Sequence, residues 1–76
     1  MTPRERNLAD IGLIALRHGL TRHDILRRRG PQGIVTQARK ACAEHFIRQG
    51  KSLCETARIL DRDHTTIRYY LYGRNR

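Results

Sequence analysis

The chain has 76 residues, with 16 Lys+Arg against 7 Asp+Glu, a formal charge of +9 and a pI near 11.1. That length suits one small domain over residues 1–76 and leaves no room for a nucleotide-binding domain joined to a substrate domain. A chain of this size buries only about 60% of its unfolded surface, and with an apolar fraction of 38%, a single Phe and no Trp its core has to be economical.

Helical periodicity dominates, and no six-residue alternation reads as a strand. A first helix is expected from Pro3 or Arg4 to His18, because Leu8, Ile11, Ile14, Ala15 and His18 make one face; Gly19 is placed to end it. Thr21 and Asp24 have the spacing of a capping box. They open a short helix from Arg22 to Arg28 that buries Ile25 and Leu26. Arg27-Arg28-Arg29-Gly30-Pro31-Gln32-Gly33 then reads as a basic loop. A long helix follows from Ile34 to Arg48. Its apolar stripe is Val35, Ala38, Cys42, His45 and Phe46 with Ala41 beside it, while Arg39, Lys40, Glu44 and Arg48 lie away. Gly50 suits the position after its end. Ser52 to Glu55 is a second capping box, opening a short helix from Leu53 to Leu60. After a tight connection at Asp61-Arg62, Asp63 is the N-cap of a fifth helix, from His64 to Tyr72. Gly73 ends that helix, and a basic tail follows.

The expected fold is therefore all-α, with about five helices. Its last two, over residues 52–72, have the pattern of a helix-turn-helix. Ala57 is small where these helices would approach; Leu53, Leu60, Ile67 and Tyr70 or Leu71 face inward. His64, Thr65, Arg68 and Tyr69 are left as one outward face, of a size that fits a B-DNA major groove. Of the basic residues only Lys40 and Lys51 are lysine. Arginine forks match phosphate oxygens and guanine edges, so the charge points to a nucleic acid.

Arg62-Asp63-His64-Thr65-Thr66-Ile67 resembles the signature of the C-terminal DNA-binding domain of the bacterial replication initiator DnaA. Ala38-Arg39-Lys40-Ala41-Cys42-Ala43 resembles the start of that domain's long central helix, and Ser52-Leu53-Cys54-Glu55 resembles its Ser-Leu-Pro-Glu. The likeness covers roughly residues 11–72 and extends to Asp24-Ile25-Leu26 with the arginines after it. It implies a Trp-repressor-like arrangement of helices. It also implies base contacts from Asp63, His64 and Thr65, with Arg68 beside them. Backbone or minor-groove contacts are implied for Arg28, Arg29, Arg39, Lys40, Lys51, Ser52, Arg62 and Thr66. Where the initiator has Gly-Gly before the recognition helix, this chain has a turn one residue shorter. The chain is expected to be a stand-alone or excised domain of this kind, put to use as a bacterial or phage regulator.

The residues agree with that chemistry. A carboxylate at Asp63 can accept from a cytosine amino group, His64 can meet a base edge, and the Thr65 methyl can meet a thymine methyl. Arginine is drawn to a narrow A·T-rich minor groove. The expected partner is double-stranded DNA, bound by a monomer, with no cofactor and no metal. Cys42 and His45, one turn apart, lack the spacing of a zinc site and lack a third group to make a nucleophile; Cys42 reads as a small core residue, and no enzyme is expected. Two cysteines are too few for a disulfide framework, and no stretch approaches the roughly 20 apolar residues of a membrane helix. A reducing, cytoplasmic and nucleoid-associated setting is expected. The competing expectation is a protein-interaction adaptor that grips RNA polymerase or the replication machinery, which an exposed apolar patch would favour.

Overall fold

The computed structural model describes residues 2–26 and 33–72. Among these residues there are five helices: α1 (Pro3–Arg17), α2 (Arg22–Leu26), α3 (Ile34–Arg48), α4 (Leu53–Leu60) and α5 (His64–Tyr72). There is no strand among the described residues. The fold is all-α, and α3, α4 and α5 run over the residues the sequence pattern indicates. Helix α1 ends one residue before His18. The expected extension of α2 to Arg28, the basic loop over 27–32, and the stop at Gly73 lie outside the described residues.

The helix starts follow from local chemistry. The first amides of a helix have no internal acceptor, and a capping box supplies one while its partner residue returns the bond. Thr21 and Asp24 do this for α2, at 3.0 and 3.2 Å. Ser52 and Glu55 do it for α4, each bond 3.1 Å. A third box, Thr2 with Glu5, opens α1 ahead of Pro3. There the Thr2 amide, and then its hydroxyl, hold the Glu5 carboxyl below the usual carboxylate range.

Three helix ends share one device. The Leu20 amide donates to Ala15 O, Lys51 to Phe46 O and Arg62 to Ala57 O, each closing the final turn in a Schellman motif around a left-handed residue. Gly19 (φ 74°) and Gly50 (φ 92°) take that place after α1 and α3. After α4 it is Asp61, at φ 55° and ψ 49°. Asp is among the few non-glycine residues that tolerate this conformation. Asp61→Val is expected to lower stability by about 1–2 kcal/mol, since a β-branched residue resists the left-handed region. Asp61→Gly should hold or raise stability. Urea melts of the two variants check this, and a valine variant as stable as the parent would contradict it.

Helix α3 is the hub, packing against all four other helices. Val35, Ala38, Cys42, Ala43 and Phe46 are buried on it. All but Val35 share one core cluster with Ile11, Ile14 and Ala15 of α1, Ile25 of α2, Ala57 and Leu60 of α4, and Ile67 and Tyr70 of α5. Because α3 is covered from several sides, its buried face is wider than a single stripe. Ala43 therefore enters the core as well, and His45 sits at its border. The His45 Nε2 lies 3.1 Å from Asp10 Oδ2, tying α3 to α1. The Cys42 thiol is pushed up to about 12 by burial, so it stays protonated at neutral pH and serves as a core side chain. Thr56 is wholly buried, with its hydroxyl donating to Ser52 O at 2.9 Å. That bond satisfies a group whose burial would otherwise cost free energy. Among the described residues, no helix is long and apolar enough to cross a membrane.

Candidate nucleic-acid interface

Helices α4 and α5 pack together across a turn at Asp61, Arg62 and Asp63. Ala57 is buried at their junction. Leu60, Ile67 and Tyr70 point into the core, with Leu53 and Leu71 packed at its edge. Anchoring α5 along Ile67 and Tyr70 decides which of its side chains face solvent, since neighbours on a helix face recur every three or four positions. Asp63, His64, Thr65, Arg68 and Tyr69 are exposed, and Thr66 is half-buried. The four residues expected to meet bases thus lie on or beside one surface at the start of α5.

That start differs from those of α1, α2 and α4. Asp63 occupies the N-cap position, where its carbonyl accepts from the Ile67 amide at 3.1 Å. Its carboxylate takes no hydrogen bond among the described residues, nor do the hydroxyls of Thr65 and Thr66. The first-turn amides, the exposed Asp63 carboxylate and the exposed Thr65 hydroxyl therefore have no partner among the described residues. The Cys54 Sγ lies 2.9 Å from His64 Nε2, which places the first turn of α4 beside the first turn of α5. The two helix starts thus lie side by side, that of α4 closed by its capping box and that of α5 without one, and an open helix start attracts phosphate.

The residues expected on the DNA backbone divide into three groups. Lys40 is exposed and makes no bond among the described residues, and Ser52 is exposed at the α4 N-cap. Lys51 is half-buried; its Nζ donates to Gln49 Oε1 at 3.0 Å and sits 5.7 Å from the Phe46 ring centroid. Arg39 and Arg62 are engaged inside the fold. The Arg39 Nε donates to Ile25 O at 2.9 Å and its Nη2 to Asp24 O at 3.5 Å. The Arg62 Nη2 reaches the same Ile25 carbonyl at 3.4 Å, and its Nη1 donates to Asp61 O at 2.9 Å. The reason is the brevity of α2. A helix of five residues leaves most of its carbonyls without an internal acceptor bond, and two guanidinium groups from α3 and the turn supply donors. Arg39 lies off the apolar stripe of α3, as expected, but it is half-buried and joins α2 to α3. Arg28 and Arg29 lie outside the described residues.

No group of three or more His, Cys, Asp or Glu among the described residues could hold a metal ion. The contact between Cys54 and His64 carries no sequence signal, since it spans ten residues and depends on how α4 and α5 cross. Among the described residues the coordinates define an all-α domain of five helices, the last of which has a polar start without a side-chain cap. The chain matches no known protein family, no curated protein and no solved structure.

Proposed function

We propose that the chain binds double-stranded DNA sequence-specifically, with α5 in the major groove and the basic loop near the minor groove. On this reading α4 and α5 act as a helix-turn-helix. Asp63, His64, Thr65 and Arg68 read bases, while Lys40, Lys51, Ser52, Thr66 and the arginines at 28, 29, 39 and 62 meet phosphate or the minor groove. The role is that of a bacterial or phage transcription regulator resembling the initiator's DNA-binding domain, acting as a monomer in the nucleoid without an enzymatic step. The alternative within the same chemistry is a replication-control protein that competes for initiator sites.

The observation that carries this reading is the start of α5. Helices α1, α2 and α4 close their first turns with capping side chains and α3 starts at Gly33 without one, whereas α5 leaves amides, the Asp63 carboxylate and the exposed Thr65 hydroxyl unbonded beside His64. A charge of +9 on 76 residues supplies the nonspecific attraction to a polyanion.

A second reading has one observation in its favour. Leu13 and Leu16, one turn apart on α1, are 60% and 72% exposed, as the docking face of a protein-interaction adaptor would be. Selection from a random duplex pool, repeated at two salt concentrations, separates the two. DNA binding predicts one enriched motif and a log affinity that falls linearly with log salt, with a loss of about tenfold or more between 50 and 200 mM. It also predicts that charged residues at Leu13 and Leu16 leave duplex affinity unchanged. Recovery of no motif, with binding equal on all duplexes, would discard it.

A further inference from the structure

We propose that Cys54 is a positioning residue for His64: its thiol donates to Nε2, fixes the ring's tautomer and leaves Nδ1–H as the group offered to a base. The inference rests on the DNA-binding reading of α5 and names which hydrogen-bond chemistry His64 contributes to it.

The geometry is local and specific. Cys54 lies in the first turn of α4 and His64 begins α5; both are exposed, and sulfur and Nε2 are 2.9 Å apart. An imidazole on a helix start would otherwise turn about two side-chain torsions and exchange its proton between nitrogens. A partner on one nitrogen removes both freedoms, because the hydrogen bond at one ring position decides which tautomer is present. The thiol has a proton to give, and sulfur accepts more weakly than an imidazole nitrogen does. The bond therefore runs from S–H to Nε2, and the ring proton resides on Nδ1. No described residue bonds Nδ1. An N–H donor in the major groove is matched by guanine O6 or N7, adenine N7 or thymine O4, and is mismatched against the amino group of cytosine. The bond thus turns His64 from a group that could serve either way into a donor that rejects cytosine at one position of the site.

The experiment has two arms on the full chain. Long-range nitrogen–proton correlation spectra of the DNA-free protein report the tautomer directly. The parent is expected to show the Nδ1–H form, Cys54→Ala to show the mixture typical of an unrestrained histidine, and Cys54→Ser, which keeps a donor, to lie between them. In the second arm, affinities are compared on the selected duplex and on one with cytosine at the position His64→Ala identifies. Cys54→Ala should shrink the penalty for cytosine by roughly three- to tenfold, leave affinity for unrelated duplexes unchanged, and add nothing to His64→Ala in the double variant. A mixed tautomer in the parent overturns the pairing whatever the duplexes show. A cytosine penalty unchanged by Cys54→Ala overturns the positioning role, and so does tighter binding by that variant, which would mean that the thiol holds the ring away from the groove. A fixed Nδ1–H tautomer in a parent protein without any duplex preference overturns the DNA reading while upholding the pairing.

Discussion

Phe46→Ala is expected to abolish cooperative folding at ambient temperature. Phe46 is fully buried on α3, the helix that packs against every other one, and it is the only Phe in a chain without Trp. The His45 ring meets it edge-on, with centroids 5.3 Å apart, and the Lys51 ammonium lies over its face. Removing a buried Phe ring costs about 3–5 kcal/mol, through lost burial and the cavity left behind. Typical stabilities of about 0.05–0.15 kcal/mol per residue give a domain of this length about 4–11 kcal/mol in all. The loss therefore consumes most or all of the margin of a domain at the low end of that range, where so small a core belongs. Phe46→Leu, which refills much of the volume, should cost about 1–2 kcal/mol and keep a sharp transition. Circular dichroism during urea titration checks both. An alanine variant with the parent's midpoint would show that the core does not depend on this ring.

The second large effect concerns recognition. His64→Ala is expected to cost about 1–3 kcal/mol on the selected duplex and to flatten discrimination among sequences. Lys40→Ala should weaken binding to every duplex alike and reduce the salt slope by about one. Lys40 is the appropriate comparison because Arg39, its neighbour, also bonds the end of α2. Loss of the Arg39 guanidinium would disturb the fold as well as any phosphate contact. Fluorescence anisotropy on matched and scrambled duplexes at two salt concentrations separates the two patterns. Identical behaviour of the two variants would contradict the assignment of base reading to α5 and backbone contact to Lys40 of α3.

Much of the candidate site is legible because it rests on local rules. A hydrophobic period near 3.6 places Ile67 and Tyr70 inward, and the same period forces His64, Thr65 and Arg68 outward. Asp63 is recognisable as an N-cap from its residue type and its place before the periodic run. What the local pattern does not disclose is that its carboxylate takes up no amide of its own helix. Capping boxes at Thr21 and Ser52 are readable for the same reason, as each bond closes within three residues.

Sequence alone determined the number of helices, the limits of α3, α4 and α5, and the face of α5 that meets solvent, because these depend on neighbours within a few residues. Tertiary structure decided the rest. Whether Arg39 and Arg62 reach outward or cap α2 depends on how closely α2, α3 and the turn approach, across separations of 14 and 37 residues. The burial of Ala43 and the place of His45 at the border depend on how many sides of α3 are covered. The pairing of Cys54 with His64 depends on the crossing of α4 and α5. Side-chain periodicity fixes direction about a helix axis, but only packing fixes the distance between one axis and the next, and that distance assigns each arginine, histidine and thiol its partner.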